Sequence, residues 1–129
     1  MSIGSEPTGL KPTEISWAAG LLDGEGCFRY VNTPSISVDA LCRETIEKLH
    51  KLFGGSCTVK SRKTETNRSV FRWNICGKDA IRVSGLVYEH LIEKKEQALI
   101  VMKIMNYPRN SQTRKTLNNR LKKLKRRSN

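Results

Sequence analysis

Long apolar runs are missing from this chain: nothing approaches the ~20 residues that a membrane-spanning helix requires. The opening MSIGSEPTGLKP has neither the apolar stretch of a signal peptide nor the arginine-rich character of a transit peptide. These absences predict a soluble, intracellular protein with no membrane partner, in a bacterial or phage-infected cytoplasm or in an organelle. Cysteines are few and far apart. Cys27, Cys42, Cys57 and Cys76 form no C-x-x-C pair and only His50 and His90 could add nitrogen ligands, so the spacing argues against zinc and for reduced, mostly buried thiols. At 129 residues the chain is expected to be one domain, and it carries no tandem repeat.

Acidic residues give out before the chain does. Against 24 Lys and Arg there are 12 Asp and Glu, a formal charge of +12 that favours a polyanionic partner, nucleic acid ahead of an anionic membrane. No acid follows Glu96, whereas Lys103, Arg109, Arg114, Lys115, Arg120, Lys122, Lys123, Lys125, Arg126 and Arg127 all do. The last few residues read as a solvated, fraying tail. Before them, NSQTRKTLNNRLKKL places Leu117, Leu121 and Leu124 at helical spacing and offers Ser111, Thr113, Arg114, Lys115 and Thr116 to phosphates.

Periodicity orders the rest. TEISWAAGLLDG reads as a helix with Thr13 as N-cap, followed by the β-type runs CFRYVN and SISVDA. CRETIEKLHKLFGG puts Cys42, Ile46, Leu49 and Phe53 on one helical face and stops at two glycines. SCTVKSR and SVFRWNIC form a second strand pair around KTETN. Ala80, Val83, Val87 and Leu91 mark a third helix, and KKEQALIVMKIMNY a further, broadly apolar one. The pattern predicts an α+β domain with one antiparallel sheet, over residues 13–108, between a flexible segment 1–12 and a basic segment 109–129.

Strand alternation sorts the sheet into two faces. Phe28, Tyr30, Ile36, Val38, Phe71, Trp73 and Ile75 fall on one; Arg29, Ser35, Ser37, Asp39, Lys60, Arg62, Arg72 and Asn74 fall on the other, with Arg68 nearby. A solvated face would explain the second set. Its Arg, Lys, Asn and Ser inventory is also one that reads base edges in a major groove.

GLLDGEG, Gly20 to Gly26, poses a sharper question. Asp23 and Glu25 stand at a helix C-terminus, where the dipole disfavours an acid by ~0.3 to 1 kcal/mol. On spacing alone they read as turn residues in a glycine-rich helix exit. Gly20 and Gly24, four apart among Trp17, Ala18, Leu21 and Leu22, also make a small-residue seam suited to close helix pairing, including with a second copy. Pairing there would bring two Glu25 carboxylates together, a repulsion that a divalent cation relieves.

WAAGLLDGEGCF, Trp17 to Phe28, resembles the signature of the LAGLIDADG homing endonucleases, with Ala18 to Gly26 aligned on the nine-residue motif. The element order is similar to that family's α-β-β-α-β-β-α fold with a curved antiparallel sheet, here with a C-terminal basic helical segment. LIEKKEQALIVMKI and SQTRKT look like segments of its single-motif members, typified by the algal chloroplast group I intron enzymes. The resemblance implies a mobile-element endonuclease making a metal-dependent double-strand cut in a long, near-palindromic DNA site.

Residue by residue, it implies that Glu25 binds catalytic Mg2+ beside the Gly24 carbonyl, with Ca2+ an ion that binds without supporting cleavage. Trp17, Gly20, Leu21 and Gly24 would form a homodimer interface, Asp23 would be structural, and Lys94 would sit at the periphery of the active site. Lys60 and Arg62 would contact bases; Ser111, Thr113, Arg114, Lys115 and Thr116 would contact the DNA backbone. The sequence departs from the family at Ala18, where leucine is usual, and at Glu25, where aspartate is. The family's glutamine at the end of the second strand is also not evident, and Asp39 is the candidate replacement. With one motif, two metal-binding carboxylates require a homodimer. The alternatives are an RNA-binding intron maturase and a DNA-binding relative that has lost cleavage.

Overall fold

The computed structural model describes residues 9–63 and 68–128, with backbone alone at 60–63, 68 and 126–128. Helix α1 spans Pro12–Glu25, strand β1 Gly26–Val31, β2 Thr33–Ala40, α2 Arg43–Phe53, β3 Ser56–Lys63 and β4 Arg68–Cys76. Then follow α3 Lys78–Val87, α4 Lys95–Lys103 and α5 Gln112–Ser128, with single 3-10 turns after α3 and α4. The four strands form one antiparallel sheet in the order β1-β2-β4-β3, so the α+β expectation holds.

The core lies between one sheet face and the helices. Phe28, Ile36, Val38, Trp73 and Ile75 from the strands meet Ala18, Ala19 and Leu22 of α1, Ile46 and Leu49 of α2, and Ala80 and Val83 of α3. Trp73 satisfies its indole N–H by donating to the Gly54 carbonyl at 2.8 Å, at the end of α2. Gly55, at φ +88°, is bound to be glycine twice over: a Cβ there would lie 2.3 Å from the Ile75 side chain and 2.5 Å from the Asn74 carbonyl.

Several local expectations shift. Helix α1 starts at Pro12 rather than after Thr13, and the Glu14 carboxylate accepts the Lys11 N–H at 2.9 Å. Leu10 packs against the core, so residues 9–12 take part in the fold. The third helix stops at Val87, and Leu91 reaches the core from beyond the 3-10 turn. The described thiols are not mostly buried: Cys42, Cys57 and Cys76 are exposed and Cys27 is intermediate. Cys42 precedes α2 as its N-cap instead of joining its apolar face, and Cys57 lies on β3, an edge strand. The basic C-terminal residues continue a 17-residue helix, α5, whose Leu121 enters the common core.

A β-bulge changes the DNA-facing row expected on β3. Thr58 pairs with Arg72 and Val59 with Phe71, but the next pair is Ser61 with Val70, so the alternation slips by one at Lys60. Ser61 and Lys63 therefore come into the Arg72 register row, while Arg62 pairs with Ser69 in the Phe71 row. The side chains of Lys60, Arg62 and Arg68 lie outside the described residues.

Candidate nucleic-acid and metal site

Helix α1 carries two stripes. Ile15, Ala18, Ala19 and Leu22 are buried, while Trp17, Gly20, Leu21 and Gly24 follow the opposite side, with both glycines exposed and both large residues half-buried. A Cβ placed on Gly20 or Gly24 would meet nothing within 4 Å. The ammonium of Lys48 covers the Trp17 ring at 4.2 Å. Gly26 differs: a Cβ there would lie 2.7 Å from the Leu22 carbonyl, so glycine lets β1 turn tightly off the helix end.

The α1 C-terminus has no basic residue of its own, and the residue just before α4 supplies one. Lys94, 9% exposed, donates its ammonium to the Gly26 carbonyl at 2.7 Å and, more weakly, to the Gly24 carbonyl at 3.4 Å. In return, Asp23 Oδ1 accepts the backbone N–H of Lys94 at 2.9 Å and of Ile92 at 3.1 Å, at the start of α4. The negative end of α1 thus holds a cation and the positive end of α4 holds an anion. The chain thus compensates Asp23 and the helix end internally. Glu25 is left out. It is exposed, and among the described residues no hydrogen-bond or ion-pair partner engages it.

A cleft of about 230 Å³ opens beside Glu25, lined by Gly24, Glu25, Gly26, Cys27, Lys94, Gln97 and Lys125. Gln97 carries no signal in the sequence, and Lys125 stands there as one basic residue in a run. Gln97 sits three residues after Lys94, on the same side of α4, and Lys125 sits four after the buried Leu121. The donors suit a hard cation only in part. The Glu25 carboxylate and Gly24 carbonyl are oxygen ligands, but among the described residues no three His, Cys, Asp or Glu side chains cluster. A single chain therefore leaves most of a coordination shell to other ligands.

The structure does not bring Asp39 into this cleft. It lies just past the Gly26–Val38 pair, but its carboxylate is held by Arg72, with Nε at 2.7 Å and Nη2 at 3.1 Å. That hydrogen bond raises the Arg72 guanidinium above its ordinary value. Asp39, the expected replacement for the missing glutamine, is thus placed outside the cleft in an ion pair with Arg72, and Arg72 is correspondingly tied down.

The remaining sheet residues keep the expected face. Arg29 registers with Ser35, and Ser37 with both Cys27 and Asn74. Arg29 is exposed and directs Nε to the Cys27 sulfur at 3.2 Å, Ser35 and Asn74 are half-buried, and Ser37 is buried. On α5, Thr113, Lys115 and Thr116 are exposed. Ser111 instead caps the helix, its Oγ accepting the Arg114 N–H at 3.2 Å. Arg114 is buried, with Nη1 donating to the Tyr30 hydroxyl at 2.9 Å and Nη2 to the Tyr107 carbonyl. Those bonds turn it inward, against the expectation of a backbone phosphate contact.

No protein-family model matches the sequence, and no curated protein is similar to it in sequence. Solved structures are similar to it in fold. The homing endonuclease I-CvuI, in complex with its target, superposes with a TM-score of 0.70 at 18% identity, over 87% of this chain and 82% of that one. The archaeal intron-encoded homing endonuclease I-Vdi141I, complexed with DNA, gives 0.70 at 17%, over 87% and 84%. The LAGLIDADG homing endonuclease I-SmaMI, bound to cleaved DNA, gives 0.55 at 19%, over 88% of this chain but 41% of that one. The chain has the fold of the LAGLIDADG homing endonucleases. Its length corresponds to one I-CvuI chain and to less than half of one I-SmaMI chain.

Proposed function

We propose that this chain is a site-specific DNA endonuclease of the LAGLIDADG type, acting as a homodimer with Mg2+. The observation that carries the reading is the isolation of Glu25: an exposed carboxylate at the helix end, in a cleft whose other charges are Lys94 and Lys125. A protein that merely needed a turn there would have no use for an unpaired acid at the negative end of a helix dipole.

Dimerisation is supported by the open stripe on α1. Nothing among the described residues crowds Gly20 or Gly24, yet each costs a helix ~1 kcal/mol relative to alanine, which is understandable if another backbone approaches there. A second copy would set the two Glu25 carboxylates at one end of the paired helices. The DNA surface in this reading is the polar sheet face, with Arg29, Ser35 and Asn74, the segment of β3 that follows its bulge, and the exposed Thr113, Lys115 and Thr116 of α5.

Mg2+, held by Glu25 and the Gly24 carbonyl together with DNA oxygens, would polarise the scissile phosphate and lower the pKa of bound water. The chain's own contribution is placement. Lys94 fixes the carbonyls that flank Glu25, and the Asp23 clamp fixes Lys94. The test is cleavage of DNA spanning the gene's insertion site, with Mg2+ present. Glu25→Gln is expected to abolish cutting while leaving DNA binding within about threefold of the parent. Intact cutting by that variant would sink the assignment of Glu25.

A further inference from the structure

We propose that Lys125 contacts the phosphodiester in the Glu25 cleft, so that the end of α5 is part of the site rather than a solvated tail. The inference rests on the endonuclease reading above and deepens it.

Helix α5 is firmly seated. Leu121 is buried, Leu117 and Leu124 pack on the core, and on the flank Arg120 grips Glu96 of α4 through Nε at 2.7 Å and Nη2 at 3.0 Å. Lys125 follows Leu121 by one helical turn, so it belongs to the inward face and is half-buried, whereas Lys122 and Lys123 are exposed. Its long stem can lie along the apolar packing while the ammonium reaches the cleft.

The cleft's charge pattern identifies the occupant. Lys94 and Lys125 outnumber Glu25, its lone acid, and Lys125 makes no ion pair with Glu25 although both line the same space. The Lys94 ammonium is already committed to the Gly26 carbonyl. Lys94 is buried and spends two of its three donors on backbone carbonyls, so Lys125, which is half-exposed and makes no such bonds among the described residues, is the lining cation best placed to meet an incoming anion, facing a carboxylate that would hold a metal. An anion that takes a lysine on one side and a metal ion on the other is a phosphate with its non-bridging oxygens, and the phosphodiester of DNA supplies it.

The experiment compares the full-length parent with Lys125→Met, Lys125→Arg and Lys123→Met on the same DNA, by single-turnover cleavage at saturating protein in Mg2+ and by affinity in Ca2+. Removing one preorganised donor to a transition-state oxygen typically costs about 100-fold in rate, and that loss is expected for Lys125→Met, with affinity within about threefold. Lys125→Arg should recover most of the rate, and Lys123→Met should cut as the parent does. An independent readout is reductive methylation followed by mass spectrometry: bound DNA should protect Lys125 more than Lys122 or Lys123, which also serves if Lys125→Met fails to fold. Parent-like saturated cleavage by Lys125→Met, a loss confined to affinity, or no selective protection of Lys125 would each overturn the proposal. Failure of the parent itself to cut would instead overturn the endonuclease reading, and the methylation pattern would still decide whether Lys125 meets a phosphate.

Discussion

Replacing Asp23 is the most direct probe of how the fold holds its candidate site. Asp23 Oδ1 accepts two backbone N–H groups, Lys94 at 2.9 Å and Ile92 at 3.1 Å. Hydrogen bonds to a charged acceptor contribute about 1.5 to 3 kcal/mol each. The Ile92 bond is exposed and shares its oxygen with the other, so the pair together should be worth roughly 2 to 3 kcal/mol. Asp23→Ala removes both and leaves the part-buried Lys94 amide without its acceptor. At roughly 4 °C per kcal/mol for a domain of this size, the melting temperature should fall by about 8 to 12 °C. Asp23→Asn keeps an acceptor oxygen in place and should lose only about half of that, since a neutral acceptor forms bonds roughly half as strong. Thermal unfolding by circular dichroism measures both. Single-turnover cleavage at a temperature where both variants are folded tests the second consequence: Asp23→Ala should slow cutting more than Asp23→Asn, because the same clamp seats Lys94 on the Gly26 carbonyl. Equal melting temperatures for the parent and Asp23→Ala would refute the clamp. An Asp23→Asn variant as unstable as Asp23→Ala would show that charge, not the acceptor geometry, is what matters.

Two further outcomes test other surfaces. Gly20→Leu fills the open side of α1 without touching the core, so it should elute as a monomer in size-exclusion chromatography and melt no lower than the parent's isolated chain. A dimer of unchanged strength would mean that the copies pair elsewhere. Asp39→Ala releases Arg72 on the polar sheet face, so DNA affinity should rise and its dependence on log salt should steepen by about 0.9 if the freed guanidinium neutralises one phosphate; an unchanged slope would place Arg72 away from the DNA backbone.

What could be read from the sequence was local. The α2 stripe of Ile46, Leu49 and Phe53, the two-residue alternation of β1, β2 and β4, and the glycine-rich exit from α1 each depend on neighbours a few residues apart, and each is found in the structure. The β3 row was misread because a bulge is one residue's departure from alternation, set by how that strand meets β4. Arg114 looked like a phosphate ligand because its chemistry suits one. Its burial comes from Tyr30, 84 positions earlier. Lys125 looked like tail because a run of basic residues hides which of them is on the leucine face; counting four from Leu121 would have singled it out. Asp23 and Lys94 are 71 residues apart, and nothing local could reveal that each compensates the other's helix end.

That compensation is what separates the two acids of GLLDGEG. Asp23 is spent on the fold, since it accepts the Ile92 and Lys94 amides of the segment leading into α4 and is itself relieved by them. Glu25 lies two residues further on, beyond the clamp, at the end of the same helix, and gains no partner among the described residues. If it were a turn residue, its charge would be a small liability to the isolated chain, worth ~0.3 to 1 kcal/mol against the helix dipole. Glu25→Gln should then melt at or slightly above the parent temperature, whatever it does to cleavage. A group whose removal leaves stability intact or improved while abolishing activity is retained for its chemistry and not for the fold. A Glu25→Gln variant that melts several degrees lower would mean that the carboxylate has a structural partner, and the isolation on which its assignment as a metal ligand rests would be gone.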